Sequence, residues 1–188
     1  MIAARRISVR ILAFALVILP FLLSANAQEN TQPKPSTPED RQRFLSIAHK
    51  LEQDPLDETL RQDRSWALNW LENVPDINVS ICPPVLGNLF ESRYRYMREI
   101  AAQFSLDMAA FIIEHPKQMN DLNAQYLAGL EGALRAYKSI LKTQPMATSS
   151  VLESLLNRQD QGKLDPWVKE QAKACQGGDQ ATSWHFRQ

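Results

Sequence analysis

The stretch that decides the fold is residues 89–141, LFESRYRYMREIAAQFSLDMAAFIIEHPKQMNDLNAQYLAGLEGALRAYKSIL. Apolar residues recur in both halves of it at intervals of three and four, which predicts two long amphipathic helices. Pro116 removes a backbone donor and disfavours the helical conformation at His115, so we expect the chain to break there. A short connection between two long helices predicts an antiparallel helical hairpin.

Two glycines, Gly129 and Gly132, lie inside the second predicted helix. Each costs a helix about 1 kcal/mol relative to alanine, so each needs a reason. Close approach of a neighbouring helix is one reason, since small residues let two helices pack closely. A ligand or partner lying against the bare backbone is the other, and the sequence leaves both open.

Helix-start signals occur on both sides of this hairpin. Each combines a capping residue with a proline or an acid in the first turn, and they stand at residues 37–40, 54–57, 150–153 and 165–167. Residues 77–81 instead alternate apolar and polar side chains, which predicts a short extended segment before Cys82. The sequence therefore predicts a single all-α domain over residues 37–178, with about six helices around the central hairpin.

The first 27 residues have the layout of a secretory signal. Three arginines precede an apolar run of about 13 residues, and Ala25-Asn26-Ala27 follows as a cleavage motif. This run is shorter than the roughly 20 residues that cross a bilayer, so we expect no transmembrane anchor after processing. The sequence predicts an exported, periplasmic or secreted chain that begins at Gln28. Residues 28–36 are predicted to be a mobile leader and residues 179–188 a flexible tail.

Charge argues against a nucleic-acid partner. The whole chain has 21 basic and 21 acidic residues, and removal of residues 1–27 leaves 18 basic against 21 acidic. A mildly acidic chain lacks the concentrated positive charge that phosphate binding needs.

The two cysteines, Cys82 and Cys175, are an even number in a chain with an export signal. Oxidising compartments allow disulfides to persist, so we predict that the two are bonded to each other. Two free buried thiols or a reactive thiol are the alternatives, although no Cys-x-x-Cys motif favours the latter.

Motifs for catalysis, phosphate binding and metal binding are missing from the sequence. The three histidines, His49, His115 and His185, are far apart in different predicted elements, which argues against a shared metal site. We therefore predict no catalytic, cofactor-binding or metal-binding residue, and the sequence gives no support for an enzyme.

Two pairs of residues are predicted to form an interaction surface. Trp66 and Trp70 lie one helical turn apart and could form a binding platform, or could cover the edge of the core. Arg93 and Tyr94 belong to a charged, aromatic-rich segment that could bind a partner. Alternatively, four-residue spacing could pair Arg95 with flanking glutamates on a solvated helix face.

Two resemblances add to this interpretation. The spacing of Ala133, Tyr137, Leu141 and Pro145 resembles the second helix of a tetratricopeptide repeat, but no 34-residue period recurs. The export signal, Cys82-Pro83-Pro84 and a helix ending at Glu114-His115-Pro116 resemble the small exported immunity proteins that block type VI secreted amidases. That resemblance covers less than half of the chain and implies an inhibitor, although the closely placed cysteines of the family are not matched.

The function that these features favour is a protein-binding or scaffold module of the cell envelope, with an unidentified protein as its partner. A compact helical bundle with no catalytic constellation has surface recognition as its simplest use. The alternatives are an immunity-type inhibitor of a secreted cell-wall amidase and a carrier of a small apolar ligand. A carrier would need a cavity lined by residues such as Met97, Phe104 and Met108.

Overall fold

A computed structural model describes residues 33–176. This range contains six α-helices and no β-strand, so the predicted all-α bundle is confirmed. The helices are α1 (Pro38–Gln53), α2 (Arg61–Asn73), α3 (Met97–Glu114), α4 (Leu122–Thr143), α5 (Ser150–Asp160) and α6 (Leu164–Gln176). Short 3₁₀ turns occupy Glu58–Leu60, Pro83–Leu86 and Pro116–Gln118. The predicted signal segment, the whole of the predicted tail and the first part of the leader lie outside the described residues.

The predicted hairpin is formed by α3 and α4, which make the most extensive contact of any two helices in the described range. α3 ends before Pro116, where the backbone N–H of His115 still bonds the carbonyl oxygen of Phe111 at 2.8 Å. α4 begins after Asp121, whose side chain accepts a hydrogen bond from the N–H of Ala124. The proline and this cap together set the connection between the two helices.

α3 lies at the centre of the bundle rather than along its edge. Every residue from Ile100 to Ala110 is buried, although we predicted only one apolar stripe. One side of α3 packs in a core with α4, α5, α6 and the segment Ile81–Leu89. Its other side packs in a second core with α1 and α2. A helix with neighbours on both sides also buries polar residues, which a single stripe does not predict.

Three predicted helix starts differ from the structure. The 3₁₀ turn Glu58–Leu60 precedes α2, because the Asp57 side chain bonds the N–H of Thr59 and tightens the chain there. α3 begins at Met97, and residues 87–93 form turns instead of helix. α5 is capped by Ser149, one residue earlier than expected. Residues 77–81, which we predicted to be extended, belong to no helix, Cys82 after them has an extended backbone, and no strand lies in the described range.

The ordered region starts before α1. Thr37 caps α1 as predicted, and its hydroxyl accepts a hydrogen bond from the N–H of Asp40 at 3.1 Å. Ser36, which we assigned to the mobile leader, donates from both its N–H and its hydroxyl to the carboxylate of Asp76. Arg41 pairs with the same carboxylate at 2.9 Å, so the start of α1 is joined to the loop after α2.

The predicted disulfide between Cys82 and Cys175 is confirmed, with the two Cα atoms 5.9 Å apart. Cys82 is buried beside the Pro83–Leu86 turn, and Cys175 lies near the end of α6. The bond therefore fastens α6 to the segment that leads into α3. None of the described helices is long and apolar enough to cross a membrane.

Candidate functional site

The predicted residues Arg93 and Tyr94 line a surface cavity of about 410 Å³. We call this cavity the α5 cleft, because one wall is the entry to α5. That wall consists of Gln144 and residues 146–150, and the opposite wall consists of residues 92–96. The cleft therefore lies where the chain enters α3 on one side and leaves α4 on the other.

The wall formed by residues 92–96 is held by bonds within the turn. The hydroxyl of Ser92 donates to the carbonyl oxygen of Leu89 at 2.6 Å and accepts from the N–H of Tyr94 at 3.3 Å. Between them, Arg93 has a φ of 53°, in the left-handed region that non-glycine residues seldom adopt. Such conformations cost on the order of 1 kcal/mol or more and persist only where surrounding contacts impose them.

Two tyrosines form the base of this region beneath the cleft. Tyr137 is fully buried, and its hydroxyl donates to Glu153 at 2.6 Å and accepts from the N–H of Ser149 at 2.9 Å. Burial and the bond to Glu153 raise the pKa of Tyr137 to about 12. The ring of Tyr94 packs edge-on against Tyr137, and burial raises the pKa of Tyr94 as well. Both phenols are therefore neutral at physiological pH and add no negative charge.

The residues that line the cleft include two arginines and no carboxylate, while the carboxylate of Glu153 lies beneath the cleft on the hydroxyl of Tyr137. Arg93 and Arg95 both line it, and neither forms an ion pair with any residue of the described range. By contrast, arginines elsewhere in this range, such as Arg41 and Arg135, pair with acids at 2.9 Å. Two unpaired guanidinium groups in a concave site without acids favour a negatively charged ligand.

An exposed apolar side chain stands at the same cleft. Met146 is 94% exposed, while most other large apolar side chains of the described range are covered. Flexible, polarisable methionines are common at surfaces that bind proteins. The sequence analysis did not select Met146, although its place beside Pro145 in the loop between two helices was a usable signal.

Arg95 belongs to the segment that was predicted either to bind a partner or to form ion pairs with Glu91 and Glu99 on a helix face. The ion pairs are not formed in the described residues, because residues 91–96 precede α3 and four-residue spacing outside a helix does not bring side chains together. The guanidinium of Arg95 lies 5.3 Å from the ring centroid of Tyr96 instead.

The predicted pair Trp66 and Trp70 lies on a different part of the molecule. Their rings stack with centroids 5.9 Å apart, and Trp70 also packs on Phe44 at 4.9 Å. Arg43 covers the ring of Trp66 at 3.9 Å. Both tryptophans pack against the core of α1 and α2, whereas Tyr94 packs against the other core. The structure therefore does not join the four predicted residues into one surface, and the tryptophans cover a core edge.

The glycines of α4 are explained by helix packing. A β-carbon at Gly129 would stand 2.6 Å from Cγ of Met108 and 2.7 Å from the carbonyl oxygen of Phe104. Phe104 and Met108 are fully buried in this contact with α4. Neither Phe104 nor Met108 lines the α5 cleft or the two other surface cavities described for this chain. These contacts favour the close approach of helices over a ligand at Gly129.

Asp107 is a buried acid that the sequence analysis did not identify. Asp107 is 6% exposed, and its carboxylate accepts a hydrogen bond from Nε2 of Gln103 at 2.7 Å. Burial raises the pKa of Asp107 to about 7, and the hydrogen bond from Gln103 opposes that shift. The sequence signal for this buried acid was an aspartate within an apolar stretch. The structure places it against Gly132. Asp107 lies outside the three cavities described above, so its environment indicates a structural role.

Of the three histidines, His49 and His115 are exposed, and His185 lies outside the described residues. The ring of His115 packs on Phe111, with centroids 4.7 Å apart. Within residues 33–176, no group of three or more histidines, cysteines or acids is placed to hold a metal ion.

Comparison of the chain with protein-family models, with curated proteins and with solved structures finds no match in any of the three. The candidate site therefore has to be interpreted from its own chemistry.

Proposed function

We propose that this protein is an exported binding module that engages a partner protein of the cell envelope through the α5 cleft. The observation that carries the proposal is the cleft itself, where two unpaired arginines and the exposed Met146 line a cavity without a carboxylate. Protein-binding surfaces are enriched in arginine, methionine and aromatic residues, and all three occur here.

Two further observations support export. The disulfide between Cys82 and Cys175 is a feature of proteins from oxidising compartments. The first 27 residues have the order of a secretory signal, with a basic start, an apolar run and a cleavage motif. An exported protein of this kind would reach a partner in the cell envelope.

Site-specific crosslinking in cells tests the proposal. A photoreactive amino acid is placed at Met146 in the full-length chain, and crosslinked proteins are recovered from the periplasm and identified by mass spectrometry. The control position is Lys117, which is exposed in the α3–α4 connection. The 22 residues of α4 separate the two positions, a length of about 33 Å.

We expect one reproducible crosslinked protein from position 146, none from position 117, and loss of the crosslink when Arg93 and Arg95 are replaced by alanine. Arg98→Ala is a matched control, because Arg98 is exposed at the start of α3 but does not line the cleft. A crosslink that survives the double replacement, or none from position 146, would contradict the proposal. Recovery of a secreted amidase would favour the immunity-type alternative for the same surface.

A further inference from the structure

A second cavity lies beside the α5 cleft along one face of α5. It has a volume of about 320 Å³, and Ser150 lines both cavities. The second cavity lies between α5, Trp167 of α6 and the turn at Gly87. The two cavities are therefore neighbours that share a lining residue in the first turn of α5.

Arg158 is held at the second cavity by a stacked tryptophan. Its guanidinium carbon lies 4.4 Å from the ring centroid of Trp167, within the range of a cation–π contact. The indole N–H of Trp167 donates to the carbonyl oxygen of Val85 at 3.1 Å, which fixes the ring. An arginine that is oriented before binding loses less conformational freedom when a ligand arrives.

Carboxylates do not neutralise this arginine. The lining of the second cavity contains no acid, and Arg158 forms no ion pair with residues 33–176. Two acids of the flanking helices have other partners, since Glu153 accepts from Tyr137 and Asp165 pairs with Lys169 at 2.8 Å. Together the linings of the two neighbouring cavities contain three arginines without an ion pair in the described residues, and no carboxylate.

The spacing along α5 gives the length of the ligand. Ser150, Ser154 and Arg158 line the second cavity at four-residue intervals, so they follow one face of the helix. A rise of 1.5 Å per residue separates the first and last of them by about 12 Å. An extended peptide covers that distance with about four residues. Leu155 and Trp167 supply apolar surface between the charged ends.

We infer that the two cavities together bind an extended acidic segment of at least about four residues in the partner protein. One carboxylate is held by Arg93 and Arg95 together, another meets Arg158, and an apolar side chain between them contacts Leu155 and Trp167. This inference rests on the proposed function and adds the chemistry of the partner. A nucleic acid has the required negative charge, but the apolar surface between the arginines suits side chains of a peptide better than a phosphate backbone.

Peptide binding tests the inference separately from the crosslinking experiment. The probe is a fluorescein-labelled octapeptide with two leucines among six glutamates, and its matched control has glutamine in place of each glutamate. Binding to the protein purified from the periplasm is measured by fluorescence anisotropy at low and at physiological ionic strength. Single-stranded DNA of similar length serves as a competitor.

We expect the glutamate peptide to bind, the glutamine peptide to bind at least about tenfold more weakly, and salt to weaken the difference. Arg158→Ala and Arg93→Ala should each reduce affinity about tenfold, because each removes a charged hydrogen bond. Arg158→Lys should retain part of the affinity. Arg61→Ala should have no effect, since Arg61 pairs with Glu58 outside both cavities. Circular dichroism and disulfide mapping establish that each variant is folded.

Each contrary result has a distinct meaning. Dependence on Arg93 without dependence on Arg158 would limit the site to the α5 cleft, and the extended segment would be wrong while the proposed function stood. Equal binding of both peptides, or no binding of either, would overturn recognition of an acidic segment, and the crosslink at position 146 would then decide the proposed function alone. If DNA displaced the labelled peptide at a lower concentration than unlabelled peptide does, the two cavities would be assigned to a nucleic acid and the inference would be overturned.

Discussion

The carboxyl group of Asp107 on α3 lies directly against the backbone of Gly132 on α4. A β-carbon at position 132 would overlap the Asp107 side chain, including its own β-carbon at 2.7 Å. The pair therefore fixes the distance between the two central helices, with the glycine leaving room for a buried acid. The nearby ion pair of Arg135 with Glu52 at 2.9 Å joins α4 to α1 beside this contact.

Replacement of Gly132 by alanine should destabilise the protein by about 1–3 kcal/mol, because an overfilled helix contact has to move apart. The gain in helix propensity, about 1 kcal/mol, offsets part of this loss. Urea denaturation followed by circular dichroism measures the difference. In an Asp107→Ala background the same replacement should cost less, since two of the three overlapping atoms are gone. An equal cost in both backgrounds would contradict the contact described here.

The stability of the protein should depend on the ionisation of Asp107. Its folded-state pKa is raised to about 7 from an ordinary value of 3.8, so the folded state binds a proton more tightly than the unfolded chain. The stabilisation is fully present below about pH 4 and is lost as the pH rises through 7. The slope between these limits is at most about 1.4 kcal/mol per pH unit.

Asp107→Asn should remove this dependence and should be more stable than the wild type at pH 8 by at least about 1 kcal/mol. Near pH 4 the two proteins should have similar stability. The measurement is urea denaturation of both at several pH values. Comparing the two proteins cancels the pH dependence that comes from other acids, because both proteins contain them. Asp76 is such an acid: burial raises its pKa, but hydrogen bonds from Ser36 and Arg41 outweigh burial, so its pKa is shifted downward. Parallel pH profiles would contradict the role assigned to Asp107.

Removal of the disulfide should lower stability by about 4–5 kcal/mol in the chain-entropy description, because the bond closes a loop across 93 positions. Cys82→Ala with Cys175→Ala should therefore lower Tm by on the order of 10 °C. Reductant should reproduce the loss in the wild type and leave the double variant unchanged. Hydrogen exchange should increase first in α6, which the bond fastens to the rest of the bundle. Faster exchange spread evenly over all helices would contradict this local role.

Tyr137→Phe should cost about 1–3 kcal/mol, because it leaves the buried N–H of Ser149 without its acceptor. Tyr126→Phe is the matched control, since Tyr126 is also buried but its hydroxyl bonds none of the described residues. Thermal denaturation of the two variants gives the comparison. If Tyr137 also supports the α5 cleft, its variant should weaken binding of the glutamate peptide, whereas Tyr126→Phe should not. Equal losses of stability in both variants would contradict the hydrogen-bonding role of Tyr137.

N-terminal sequencing of the protein purified from the periplasm tests the predicted processing. The cleavage motif Ala25-Asn26-Ala27 predicts a chain that begins at Gln28. Ala27→Arg should block cleavage and leave the chain at its full length, because the cleavage site needs a small residue there. A chain in the periplasm that still begins at Met1 in the wild type would contradict the assignment.

The sequence by itself determined the helical hairpin and the disulfide. Both depend on patterns along the chain: apolar spacing in residues 89–141, the proline at 116, and an even number of cysteines in a chain with a predicted export signal. The start of α1 after Thr37 was also predicted, since capping signals act over a few residues.

Tertiary structure alone decided which side chains meet. The unpaired Arg93, Arg95 and Arg158 are up to 65 positions apart in sequence, and they line neighbouring cavities only because α5 packs beside the turn before α3. The same packing separated Trp66 and Trp70 from Tyr94, and it buried Asp107 on a helix that is enclosed on both sides. Local patterns specify the helices, whereas burial and convergence of side chains depend on contacts between residues distant in the chain.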